Sequence, residues 1–465
     1  MSRCDRRRFL EQTGAALAAS WTWQSGSFAR GQTPPGKGLR LARFRFDVTP
    51  PIGHSCCGGW IRPVEAVDDP LEAIGIVLIG AGQPIVLCAV DWTGLLNEAH
   101  VQWRKALAAA AGTTVDRVAV QCVHQHNAPM ACLEAQRIVA AQGDLPSIID
   151  PEFFEQCLDR ARSAIQQALA EARPVTHVAA GQGRVAQVAS NRRVSRDADG
   201  RVLAMRGSSC RNEDLRALPE GTIDPWLKTV AFYDQERQLA ALHYYATHPM
   251  SYYADGRVSS DFVGLARKQR QLQQPECLHL YFTGCAGDVA AGKYNDGSPQ
   301  LRTLLTQRMV DGMLAAERDL RPYAVQQVAW RTAEILPPLR AGLDAETLQA
   351  AIDHRGAPVV RRNRPAFTLS WLRRLEQQTP LVISCLHVND VRLLHLPGEC
   401  FVEYQLRAQR WAPGCFVATA AYGDGGTWYV PTEEEYPHGG YEVSVAFSDP
   451  PIDNQLSEAM QHVLI

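Results

Sequence analysis

The chain has 465 residues, 46% of them apolar and 21% charged, with a formal charge of −2. That composition excludes disorder, collagen and coiled coil, and a chain this long buries a sizeable core without disulfide or metal staples. It carries no basic stripe and no nucleic-acid-binding motif, so nucleic acid is not an expected partner.

In chain order, the first feature is an address. Arg6-Arg7-Arg8-Phe9-Leu10 precedes an apolar run from Thr13 to Trp23 and a small-x-small exit at Ser27-Phe28-Ala29. A charged start, a short apolar core and such an exit describe a signal peptide over residues 1–29. Twin Arg followed by x-Phe-Leu is the twin-arginine type, which exports folded proteins. The expected location is periplasmic or secreted. No membrane anchor is expected after cleavage, because no later segment reaches about 18 uninterrupted apolar residues. The 13 cysteines are scattered and form no C-x-x-C. They read as small buried apolar residues and not as a zinc module.

Residues 30–39 read as a polar linker and residues 40–465 as one domain. Ile74–Ile79 and Ile85–Val90 read as strands paired around Gly80-Ala81-Gly82. A helix is expected over 97–111, ending near Gly112, then a buried strand over Arg117–Val123. Glu152–Glu171 places Phe153, Phe154, Cys157, Ile165 and Leu169 on one helical face. Leu239–Ala246 and Leu278–Phe282 read as strands, Gln300–Arg318 as a helix, Val391–Leu396 as a strand, and Cys400–Trp411 as a helix directly after it. Strands alternating with helices predict a layered mixed α/β domain.

Four segments carry chemistry. Cys122-Val123-His124-Gln125-His126-Asn127-Ala128-Pro129 lies at a strand end. Continued strand geometry would point His124 and His126 the same way. Tyr245-Ala246-Thr247-His248-Pro249 again ends a strand-like run in His. In Leu396-Pro397-Gly398-Glu399 the acid opens a helix, whose N-terminus would favour the ionised carboxylate. The Tyr- and Gly-dense stretch from Thr427 to Glu442 is a candidate site wall. Two His and one carboxylate from separate strand ends would suit a catalytic zinc.

Together these segments resemble the neutral/alkaline non-lysosomal ceramidase family. The likeness runs in order across about 400 residues. It begins at Asp47-Val48-Thr49-Pro50-Pro51-Ile52-Gly53 and includes Asn191-Arg192, Ser260-Asp261 and Gly284-Cys285-Ala286-Gly287-Asp288-Val289. The resemblance implies one zinc ion held by His124, His248, Glu399 and Tyr429, with His126 hydrogen-bonding the developing oxyanion. It places Arg192 and the Gly58-Gly59 turn at the substrate, and Tyr441, or else Tyr436, on the substrate side. The implied reaction is hydrolysis of an N-acyl amide, ceramide to fatty acid and sphingoid base, with a lipid or other small molecule as partner. Departures from the family pattern at Asn127-Ala128 and after Asp288 keep open another substrate, a sugar derivative or an ester. The family's C-terminal immunoglobulin-like domain is not expected here.

Overall fold

The computed structural model describes residues 38–465. The expected signal peptide, and most of the expected linker, lie outside the described residues. Three sheets share the core. The first contains β1 (Arg40–Asp47), β2 (Glu72–Ile79), β3 (Ile85–Val90) and β4 (Val118–Cys122), with Arg173–Pro174 at its edge. The second contains β5 (His177–Arg184), β6 (Trp226–Asp234), β7 (Arg237–Tyr245) and β8 (Leu278–Thr283), with Tyr323–Ala324 at its edge. The third contains β9 (Val328–Ile335), β10 (Leu381–Val388), β11 (Val391–His395) and β12 (Phe416–Ala420). Neighbours are antiparallel except β3–β4, β7–β8 and β11–β12, which are parallel.

Strand parity explains how the layers meet. Along β3, Ile85, Leu87 and Ala89 join a core shared with Leu242, Leu280 and Phe282 of the second sheet and Leu386, Val391 and Leu393 of the third. The alternate residues Val86, Cys88 and Val90 join the core that also holds Trp103, Phe154 and Ile165 of the helices. Both faces are therefore buried, which is why this strand is an unbroken apolar run.

Helices cover the other faces. α1 (Glu98–Ala111) and α2 (Pro151–Ala170) pack on each other, and α2 packs on β1. Asp150 starts α2 by accepting from the Glu152 N–H, and Pro151 sits in the first turn, where its missing donor costs nothing. α3 (Asp261–Gln273) and α4 (Pro299–Arg318) pair beside the second sheet. α5 (Val359–Glu376) packs against the Leu133–Ala140 helix; α6 (Val402–Trp411) and α7 (Ile452–Leu464) pack together, and α7 lies on the third sheet. The elements expected between 74 and 411 are present to within a few residues. The exception is α6, which starts at Val402, while Glu399–Cys400 forms a two-residue strand. No helix among the described residues is long and apolar enough to cross a membrane. The twelve cysteines among the described residues are free, and all but Cys415 are buried.

Candidate metal centre and its cavity

Hydrogen bonds between the sheets gather their strand ends at one place. Gln121 of β4 donates to the carbonyls of Leu396, Ala420 and Ala421. Thr283 of β8 donates its hydroxyl to Val123 O and accepts on its carbonyl from Ala421 N–H. The segments that follow β4, β7, β11 and β12 therefore converge, each at the carboxyl end of a strand in a parallel pair.

These segments carry His124, His248, Glu399 and Tyr429. The Nε2 atoms of His124 and His248 are 3.2 Å apart. Glu399 Oε2 lies 3.2 Å from the first and 3.3 Å from the second. Each imidazole is oriented from behind. His124 Nδ1 donates to Thr93 O at 2.6 Å and His248 Nδ1 to Ala286 O at 2.8 Å. A carbonyl can only accept, so in the neutral rings each Nε2 bears the lone pair. Three acceptors thus face one another, and Glu399 Oε2 has no hydrogen-bond donor. This arrangement suits a cation. Burial would raise the Glu399 carboxyl, and positive charge on its His124 and His248 side is what holds it well below its usual range.

Two expectations about local geometry are corrected. His124 does not continue β4: that strand ends at Cys122, and His124 has φ +76°, in the left-handed region. His126 still faces the centre, with its ligating nitrogen within 4.8 Å of those of His124 and His248, but a backbone turn brings it there, not strand alternation. Nor does Glu399 open a helix. It sits opposite Tyr429 in a parallel two-residue bridge. The first turn of α6 is served by Asp288, whose carboxylate accepts from Val402 N–H at 2.8 Å. Gly398, at φ +57°, makes the Pro-Gly-Glu corner possible, since a Cβ there would stand 2.6 Å from Trp428 O.

A cavity opens on the centre. His124, His126, Glu399, Tyr429 and Tyr441 line it with Trp60, Tyr253, Arg364, Tyr422 and Trp428. His126 presents a buried Nε2 without a partner, and Cys57 Sγ lies 3.8 Å from its Nδ1. Burial pushes the Cys57 thiol up to about 12, so it stays protonated.

The other expected site residues lie further out. Arg192 is buried behind Tyr429, 3.4 Å from its hydroxyl, and pairs with Glu442 at 3.3 Å. Arg193, next to it, is 1% exposed on its side chain and pairs with Glu435 and Glu442. Gly58 and Gly59 are not among the cavity-lining residues. Both have positive φ, and Gly58 O accepts from Asn363. Tyr436 turns its hydroxyl to Ser448 O and is likewise not among the lining residues. Sequence reasoning missed Arg364 of α5, in a stretch with no motif, and Tyr422. The Tyr422 ring stacks on His124 at 4.2 Å between centroids. The Ala-Ala-Tyr-Gly-Asp-Gly-Gly run after β12 was the available signal for it.

No family model and no curated protein sequence matches the chain. Solved structures do. A ceramidase complexed with C2 matches with a TM-score of 0.67 at 16% identity, over 93% of this chain and 75% of that one. Neutral ceramidase from Pseudomonas aeruginosa matches with a TM-score of 0.65 at 15% identity, over 93% and 74%. The layered mixed α/β chain therefore has the fold of the neutral ceramidases.

Proposed function

We propose that the protein is an exported zinc hydrolase of ceramidase type, cleaving an N-acyl amide. The observation that carries this reading is the triangle of acceptors formed by His124 Nε2, His248 Nε2 and Glu399 Oε2, with edges of 3.2–3.3 Å. Ligands ~2.0–2.1 Å from a tetrahedral zinc stand ~3.3–3.4 Å apart. Tyr429, opposite Glu399 in the bridge and lining the same cavity, completes the donor set.

When bound, zinc supplies Lewis acidity and lowers the pKa of water to ~7. The chain's own residues supply the rest. The carbonyls of Thr93 and Ala286 hold the His124 and His248 rings, so that both Nε2 lone pairs meet at one point. Burial keeps His126 neutral. With the Cys57 S–H donating to Nδ1, Nε2 carries the hydrogen and offers it to the substrate oxygen as charge develops there. Arg192 keeps a positive charge behind the Tyr429 hydroxyl. Leu96, Met130 and Tyr253 supply an apolar wall for an acyl chain and displace water from around the scissile bond.

The test is release of fatty acid from short-chain N-acyl amides by purified protein with a measured zinc content. The expected result is one zinc per chain, with activity lost on chelation and restored by zinc. Cleavage of sugar derivatives or esters with N-acyl amides untouched would replace the amide reading by a different substrate for the same centre.

A further inference from the structure

Arg364 projects from α5 into the cavity. Its guanidinium has three aromatic neighbours: Trp60 and Trp428 at 5.5 Å and Tyr441 at 5.7 Å from the ring centroids. Nη2 donates to the Tyr441 hydroxyl at 2.9 Å. Nε is buried and has no partner. Among the described residues no carboxylate forms an ion pair with Arg364, whereas other buried arginines have either carboxylates or, as at Arg104 and Arg206, several backbone carbonyls. Arg192 and Arg193 share Glu442, Arg267 takes Glu72 and Asp91, and Arg374 takes Asp424. A half-buried guanidinium held by ring faces and a single hydroxyl is only partly compensated for the water it gives up.

The geometry points to a substrate carboxylate as the missing partner. We propose that Arg364 selects N-acyl amides whose amine portion bears a carboxylate. The planar fork of Arg matches that group in a bidentate fashion. A continuous line of groups joins it to the centre: Arg364 bonds Tyr441, the Tyr441 ring meets Tyr429 edge-on at 5.8 Å, and Tyr429 faces Glu399 in the bridge. Substrate would lie along this line, its amide at the three-acceptor centre and its carboxylate on Arg364. This inference rests on the amidase reading above and narrows it to anionic substrates.

The experiment compares N-octanoylglycine with the neutral N-octanoylethanolamine; both release octanoate. With zinc-loaded wild type, kcat/KM is expected to be at least tenfold higher for the glycine conjugate, mostly through KM. Arg364→Gln should reduce that ratio at least tenfold, and Arg364→Lys should restore part of it. Calorimetric titration of both compounds into the same proteins separates the two readings. If neither compound is hydrolysed but N-octanoylglycine binds more tightly to wild type and not to Arg364→Gln, the amidase reading fails and the carboxylate site stands. Equal rates and equal binding of the two compounds by wild type would overturn the proposal, and so would a preference that survives in Arg364→Gln. Absence of binding and turnover for both compounds would also overturn it. The wild-type comparison needs no variant, so a poorly folding substitution does not shield the proposal.

Discussion

Two clusters in this molecule have the same composition, two His and one Glu, with opposite outcomes. His124, His248 and Glu399 face one another as acceptors beside a cavity. His243, His279 and Glu317 lie beside the second sheet with similar separations. There His243 Nδ1 faces Thr229 Oγ1 at 2.9 Å, and its Nε2 shares a hydrogen with His279 Nδ1 at 3.0 Å. Glu317 is taken up by Arg270. Burial, then Arg270, pushes His279 down to about 3. The difference lies in what already occupies the lone pairs. In the first cluster the hydrogens point outward to carbonyls and the acceptors are left over. In the second, the two imidazole nitrogens that face each other share a hydrogen, with only His279 Nε2 left without a partner, and an arginine fills the place of the cation.

The largest expected effect separates the clusters outright. His248→Ala should lose bound zinc and at least ~1000-fold in kcat/KM, worth about 4 kcal/mol of barrier. Glu317→Gln should retain wild-type zinc content. Metal analysis on both proteins checks this, and loss of zinc from Glu317→Gln would reverse the assignment. Next, Arg270→Met leaves Glu317 without its cation. Breaking a buried pair costs about 3–5 kcal/mol, so chemical denaturation should show a loss of that order with zinc content unchanged. His126→Ala should keep zinc yet lower kcat by ~100–1000-fold, the usual cost of removing one oxyanion donor. Zinc loss in that variant would make His126 a ligand and not a donor.

The smallest effect per residue and pH unit is a pH dependence of stability. His279 and His395 are pushed down to about 3 and His100 and His387 to about 4, in each case first by burial. All four are neutral in the folded protein and take up protons in the unfolded chain below about pH 6.5. Their contribution is therefore complete above that pH and is lost as pH falls toward 4, by at most about 1.4 kcal/mol per pH unit for each group. Denaturation midpoints at pH 7, 6 and 5 should decline in that order; a flat profile would contradict the neutral burial of these four histidines.

Much of this was legible in the sequence. Apolar runs such as Ile85–Val90 and amphipathic stretches such as Glu152–Glu171 announce their elements through periodicity, because burial on one face or two leaves a pattern. His124 and His248 were legible because each closes a strand-like run before a Pro-containing corner, and Glu399 because it directly follows one. What stayed hidden depends on contacts distant in sequence. The positive φ of His124 is imposed by bonds such as that of its N–H to Trp92 O. Arg193 is buried because Glu442 lies 249 residues away in sequence and beside it in space. Arg364 stands in a stretch with no motif, and only the fold turns it toward Trp60 and Trp428.

Anomalous diffraction at the zinc edge from crystals of the zinc-loaded protein tests the central claim most directly. The account predicts one peak, within ~2.0–2.3 Å of His124 Nε2, His248 Nε2 and a Glu399 oxygen, and none among His243, His279 and Glu317. A peak at the second cluster, or none at the first, would contradict it.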